Sequence, residues 1–216
     1  MAEIDVNRSI LEGNQKLAED NRHTFRQAGV KVLNLISSPG AGKTSILEQT
    51  LKRLAGRLQA GVIEGDIQTT EDATRVAACG VKAVQIETQG ACHLEGAMIQ
   101  KALAAFDLEA LDLLIIENVG NLVCPVEFDL GEDLKVAVLS LTEGDDKPAK
   151  YPLLFQQAGV LLINKLDLLP HLDIDLERIR RDCRRLNPGL QVFELSCKTG
   201  QGLEEWVAWL EQWVRG

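Results

Sequence analysis

Leu33-Asn34-Leu35-Ile36-Ser37-Ser38-Pro39-Gly40-Ala41-Gly42-Lys43-Thr44 is an apolar run that breaks into a glycine-bearing turn and then into a helical pattern. It reads as strand, phosphate loop and helix. Val32, Leu33, Leu35 and Ile36 suit a buried strand, and Ile46, Leu47, Leu51 and Leu54 recur at helical spacing beyond the turn. The loop therefore sits at a helix N-terminus, where unpaired N–H groups and the helix dipole attract anions. Gly40 and Gly42 let the backbone of Gly40, Ala41, Gly42, Lys43, Thr44 and Ser45 curl around a polyphosphate without Cβ interference. Lys43 would neutralise the β- and γ-phosphates, and the Thr44 hydroxyl would take one position on Mg²⁺. The strict pattern GxxxxGK(S/T) places glycine at position 37, where this chain has Ser37.

The 216 residues are 45% hydrophobic and 25% charged, as expected of one globular domain with a full core. A net charge of −9, with no basic block and only 4% aromatic residues, argues against nucleic acid or an anionic membrane as partner. No stretch has the ~20 apolar residues of a membrane span, and MAEIDVNRS lacks an apolar signal core, so a cytoplasmic protein is expected. The five cysteines are scattered and odd in number, which suits reduced thiols rather than a disulfide framework.

Residues 1–29 suit one helix with a thin apolar stripe, packed on the body, and residues 30–216 suit the nucleotide-binding unit. From Lys31 onward the segments alternate, which predicts an α/β fold: a mostly parallel sheet with helices on both faces. Strands are expected at 31–36, 58–64, 82–86, 112–117, 135–140, 159–164 and 191–195. Helices are expected near 43–56, 70–79, 94–106, 151–157, 174–186 and 203–214. In the last of these, Leu203, Trp206, Val207, Leu210, Trp213 and Val214 share a face and read as core, as do Cys79 and Cys183 in their helices.

A second buried strand, 159–164, ends in Asn164-Lys165-Leu166-Asp167. A carboxylate at 167 can accept both the N1–H and the 2-amino hydrogens of guanine, a donor pair that adenine lacks, so the motif selects GTP and GDP. Asn164 would tie the base loop to the phosphate loop, and the Lys165 stem would lie along the base plane. Ser196-Cys197-Lys198, again just after a strand, would complete the base pocket through its backbone and Lys198, with Cys197 a small loop residue. Between these stations, Leu113–Glu117 is a buried strand ending in an acid, with Gly120 three residues on. Glu117 can hold Mg²⁺ through water, and the Gly120 N–H can bond the γ-phosphate, so that hydrolysis releases the loop. Asp66, at an analogous strand tip, is a second acid for the metal. Asn121 stands where many GTPases place a water-orienting glutamine, so unaided hydrolysis is expected to be slow.

Cys92, His93 and Cys124 each follow a predicted strand on the nucleotide side, and thiolate with imidazole suits Ni²⁺ or Zn²⁺. Helical neighbours point about 100° apart, so Cys92 and His93 converge on one ion easily only if one lies outside the helix. Three ligands leave a tetrahedral site open to a water or to a symmetry-related copy.

Taken together, NQKLAEDNR, SSPGAGKT, EGD at 64–66, ACHL at 91–94, ENVGNLVCP at 117–125, TEGDDKPAKYP at 142–152, NKLDLLP and SCKTG make the chain resemble the HypB family, the hydrogenase nickel-incorporation GTPases. The resemblance spans nearly the whole chain, and members of that family often carry serine at the position of Ser37. It implies a GTPase of the dimerising nucleotide-switch class that helps deliver nickel to the large subunit of [NiFe] hydrogenase with nickel-delivery partner proteins. It also implies that Cys92, His93 and Cys124 bind Ni²⁺ or Zn²⁺ at the interface of a GTP-favoured homodimer. Lys147 and Lys150 then fall in the intersubunit segment, where either could reach the partner's nucleotide. The N-terminal cysteine-rich nickel motif or histidine-rich run of some members has no counterpart here, since the first 78 residues hold no cysteine and one histidine. The related urease-accessory GTPases usually carry a Cys-Pro-His triplet, whereas here Cys92-His93 and Cys124-Pro125 are separate. A small-molecule kinase would share the phosphate loop but has no use for NKLD, and a plain metal carrier would not need Lys43, Thr44 and Asp167.

Overall fold

The computed structural model describes residues 6–66, 71–88 and 90–216. Seven strands form one sheet: β1 (Lys31–Ser37), β2 (Ala60–Asp66), β3 (Lys82–Glu87), β4 (Leu113–Glu117), β5 (Leu134–Ser140), β6 (Val160–Asn164) and β7 (Gln191–Glu194). Their spatial order is β3-β2-β4-β1-β5-β6-β7, and every neighbouring pair is parallel. Helix α1 (Val6–Ala28) precedes β1; the crossovers that parallel pairing demands carry α2 (Lys43–Leu54), α3 (Glu71–Ala77), α4 (Gly96–Leu103), α5 (Cys124–Glu127), α6 (Lys147–Lys150), α7 (Pro152–Gln157) and α8 (Leu176–Leu186); and α9 (Leu203–Arg215) follows β7. Every strand expected from the sequence is present, and the fold is a P-loop α/β architecture. No helix among the described residues is long and apolar enough to cross a membrane.

Alternation along each strand sorts the core into two layers. Leu33 and Leu35 of β1, with Val62, Ile115, Val136 and Val160, face Leu47 and Leu51 of α2 and Trp206 and Leu210 of α9. Their neighbours point the other way. Val32, Ile63 and Ile116 meet Phe25 of α1 and Ile99 of α4, while Ile36, Leu139 and Ile163 meet Phe155 of α7 and Ile179 of α8. β1 lies at the switch point of the strand order, with β4 on one side and β5 on the other, which puts the crevice beyond its C-terminal end.

Trp206 is fully core, and its Nε1 donates to the Thr50 hydroxyl at 3.0 Å, so truncating it to alanine should cost about 3–5 kcal/mol. Trp209 and Trp213 are only half-buried and continue as a stack, with Lys31 Nζ 5.5 Å from the Trp213 ring. Cys183 is buried, its thiol pushed up to about 12 by desolvation. Cys79 is half-buried rather than core, because α3 ends at Ala77, before it.

α1 carries the expected apolar contact through Phe25, but polar pins also hold it. Asn14 Nδ2 donates to the Asp129 carbonyl (2.7 Å), and Asn14 Oδ1 accepts from the Gly96 N–H (2.8 Å). Asn21 Nδ2 donates to the carbonyls of Gly96 and Leu130. Arg22 forks onto both oxygens of Asp129, at 2.8 and 2.7 Å. The Arg22 hydrogen bond is the main cause that raises this guanidinium's pKa. Burial pushes Asp129 up, but the bonds from Arg22 and the Gly131 N–H outweigh it and hold the carboxyl below its ordinary range. The helix expected over 94–106 begins only at Gly96, since Glu95 is extended (φ −121°, ψ 157°) and Asn14 takes the Gly96 N–H that a turn begun earlier would use.

Candidate nucleotide and metal site

The phosphate loop is built as the glycines require. Gly40 (φ 73°) and Gly42 (φ 97°) occupy the left-handed region, and Gly42 is the N-cap of α2. A Cβ on Gly42 would lie 2.5 Å from Asn164 Nδ2, so the close approach itself demands glycine. Lys43 and Thr44 are buried in the first turn of α2. Ser37 explains its own departure from the glycine pattern: its hydroxyl accepts from Lys43 Nζ at 3.0 Å and donates to the Ser38 carbonyl at 2.7 Å. A cavity of about 500 Å³ opens here, lined among others by Gly42, Lys43, Thr44, Ser45, Glu117 and Gly120.

A second cavity of about 470 Å³ adjoins it, sharing Gly42, Ser45 and Lys165 and adding Asp167, Cys197 and Lys198. Asn164 Nδ2 donates to the Ala41 carbonyl at 3.0 Å, the expected tie between the two loops. Lys165 makes a second tie, from Nζ to the Gly40 carbonyl at 2.8 Å, and is the only described non-glycine residue with positive φ (63°). Ser196 Oγ donates to Asp167 Oδ1 at 2.6 Å and accepts from the N–H groups of Lys198 and Thr199. One carboxylate is thus aimed and still keeps acceptor capacity for a base. Burial pushes the Cys197 thiol up to about 11, so it stays protonated.

At the tip of β4, Glu117 Oε1 accepts from Thr44 Oγ1 at 2.9 Å, joining the two groups expected around Mg²⁺. Glu64 of β2 lies in register beside Glu117, is equally buried, and lines the same cavity, a carboxylate that sequence reading passed over. The strand alternation that buries Glu64 among apolar residues was the available signal. Asp66 ends β2, and its side chain lies outside the described residues. Gly120 packs on the phosphate loop, where an added Cβ would be 3.0 Å from Pro39. Lys147 and Lys150 sit on α6, outside the lining of either cavity. Lys147 Nζ lies 5.3 Å from the Tyr151 ring, and Lys150 pairs with Asp146 at 2.6 Å.

Cys92, His93 and Cys124 converge: one donor atom from each lies within 4.8 Å of the others. Cys92 Sγ is 3.0 Å from Cys124 Sγ and 3.6 Å from His93 Nδ1. Convergence is possible because Cys92 and His93 both precede α4 in extended and bent chain, while Cys124 opens α5. The His93 ring lies over Phe128 at 3.8 Å, and its Nε2 is 3.5 Å from Glu95 Oε1. Glu95 and Phe128 therefore orient the imidazole with Nδ1 toward the thiols, an outer layer that spacing alone did not reveal. Burial lowers the His93 pKa and Glu95 only partly offsets it, so the ring is neutral at pH 7. The hydrogen bond with Cys92, then burial, raises the Cys124 thiol. Two soft sulfurs and one imidazole nitrogen, with an open fourth position, suit Ni²⁺ or Zn²⁺.

A P-loop fold with a second cavity beside the phosphate loop and a thiol–imidazole cluster beyond the ends of β3 and β4 defines a nucleotide-binding protein with a candidate site for a soft metal ion. The family described as "CobW/HypB/UreG, nucleotide-binding domain" matches residues 31–194. The hydrogenase maturation factor HypB of Azotobacter vinelandii is 52% identical over 97% of this chain and 69% of its own length. The structure of Helicobacter pylori HypB in complex with nickel is 39% identical, with a TM-score of 0.89 over 94% of this chain and 95% of that one. That of HypB from Archaeoglobus fulgidus is 40% identical, with a TM-score of 0.88 over 94% and 99%. The chain belongs to the HypB family of hydrogenase maturation factors.

Proposed function

We propose that the protein is a GTP-hydrolysing metallochaperone that carries Ni²⁺ on Cys92, His93 and Cys124 and helps insert it into [NiFe] hydrogenase. The convergence of those three donors beside a guanine-type nucleotide pocket carries the reading. Lys43 and the backbone from Gly40 to Ser45 hold the phosphates, and Asp167, aimed by Ser196, reads the base. Thr44, Glu117 and Asp66 would hold Mg²⁺, with buried Glu64 beside them; the ion, when bound, offsets charge on the β- and γ-phosphates. Gly120 senses the γ-phosphate. No glutamine follows Gly120, and Asn121 instead accepts from the Val123 N–H at 2.8 Å, so turnover is slow.

Nickel is the cargo. The three donors leave a coordination position that a second copy of the chain fills, and Val123, half-exposed beside Cys124, suits a face that closes on its partner. A GTP-favoured homodimer with Lys147 or Lys150 reaching across is the assembly we infer, in the cytoplasm and with nickel-delivery partners. Zn²⁺ is the alternative occupant of the same donors.

Phosphate release from GTP without any acceptor, together with equilibrium dialysis of Ni²⁺, tests the reading. Lys43→Ala should abolish nucleotide binding. Cys92→Ala or Cys124→Ala should each lose stoichiometric Ni²⁺ and keep GTP. Full nickel stoichiometry in both cysteine variants would refute the metal assignment, and phosphate release that needs a hydroxyl acceptor would favour a kinase.

A further inference from the structure

We propose that Asn118 and Leu94 form the linkage through which the nucleotide site and the metal site sense each other. The inference rests on the nucleotide-switch reading above and names the residues that carry it.

Asn118 lies between Glu117, which holds Thr44, and Gly120, which packs on the phosphate loop, and it is fully buried in the wall of the nucleotide cavity. Its Oδ1 is a shared acceptor. It takes the Val119 N–H at 3.0 Å, on the loop leading to Gly120, and the Leu94 N–H at 3.2 Å, on the residue after His93. Its Nδ2 is fixed by Asn34 Oδ1 at 3.2 Å, and Asn34 is held in turn by Glu132 at 3.3 Å. The acceptor therefore cannot swing away freely.

Leu94 touches the second acid-bearing strand tip as well. Its side chain is fully buried over Gly65, where an added Cβ would meet Leu94 Cδ1 at 2.8 Å, and Gly65 immediately precedes Asp66. The two halves of the metal cluster are thus attached differently. Cys124 is reached from Asn118 along the chain, whereas Cys92 and His93 are reached across the Asn118–Leu94 hydrogen bond and the Leu94–Gly65 packing. Movement of residues 119–120 toward a γ-phosphate changes what the shared oxygen accepts. It therefore moves Leu94, and with it His93, relative to Cys124.

Asn118 is a positioning residue here, and its removal should alter the coupling and not merely the affinities. The full chain is titrated with Ni²⁺ against a chromogenic chelator, once with GDP and once with a non-hydrolysable GTP analogue. The ratio of the two nickel affinities is the readout. Asn118→Ala should bring that ratio at least threefold closer to one, and Leu94→Ala, which keeps the N–H but removes the packing on Gly65, should bring it partway. Both affinities shifting together with an unchanged ratio means a structural role and overturns the proposal. A ratio of one in the unaltered protein overturns the switch reading itself. Hydrogen exchange at the Leu94 amide keeps the test independent of whether Asn118→Ala folds. Its protection should differ between the GDP and GTP-analogue states of the unaltered chain, and equal protection in both contradicts the linkage.

Discussion

Asp167 carries the choice of base in the proposed reading, and its chemistry makes a specific demand. With Ser196 Oγ occupying one lone pair of Oδ1, the carboxylate has acceptors for N1–H and the 2-amino group of guanine and no donor. Asp167→Asn places an N–H opposite the 2-position. Affinity for GTP should fall about 10³-fold or more, while affinity for xanthosine triphosphate, which presents a 2-oxo acceptor, should rise; nucleotide titration by fluorescence reads both. Gly42→Ala tests the other wall of the site. The new methyl would meet Asn164 Nδ2 at 2.5 Å in a backbone region strained for any L side chain. Loss of stability on the order of 2–3 kcal/mol in denaturant unfolding is expected, along with loss of nucleotide binding. Protonation sets the behaviour of the proposed metal donors. The Cys124 thiol is held protonated by Cys92 and by burial, while His93 is already neutral at pH 7, so nickel must displace thiol protons. Calorimetry in two buffers of different ionisation enthalpy should find about one to two protons released per Ni²⁺ at pH 7.

At the scale of elements, α1 is a clamp on both segments that carry the proposed metal donors. It holds Gly96, just after Cys92 and His93, and residues 129–130, just after the helix that Cys124 opens. The Arg22–Asp129 pair gives this clamp a pH signature. Because the Asp129 carboxyl is depressed in the folded state, the stability it contributes is fully present above its ordinary value of 3.8 and is lost as pH falls through the lower, folded value. Asp129→Asn lacks that contribution at every pH. Its melting temperature should lie below that of the unaltered protein near pH 7, with the gap narrowing below about pH 4. A gap constant down to pH 2 would show that the pair contributes nothing through its charge.

For the whole molecule, most of the architecture was legible because it rests on local signals. Seven apolar runs gave seven strands, and the phosphate loop and NKLD each announced themselves by residue type at a strand end. Asn164 meeting Ala41 followed from the same logic. What stayed hidden depends on partners far apart in the chain. Asn14 and Asn21 look like the polar face of a helix until residues 96 and 129–130 fold against them, 75 to 115 positions away. Glu64 and Asn118 sit inside apolar strands or at their tips, where a polar residue reads as an interruption until the neighbouring strand supplies its partner. α5 and α6 are four residues each, shorter than any helical period can register. The clustering of Cys92, His93 and Cys124 required β2, β3 and β4 to lie side by side with their C-terminal ends on one edge.

On that shared edge rests the proposed switch, in which one nucleotide state and the other present different metal sites. The most direct test is the nickel affinity of the unaltered protein, measured by chelator competition with GDP and with a non-hydrolysable GTP analogue. The two affinities are expected to differ by about fivefold or more, the usual floor for coupled sites. Equal affinities would contradict the switch, leaving a nucleotide-binding protein whose Cys92, His93 and Cys124 are indifferent to the ligand beside them.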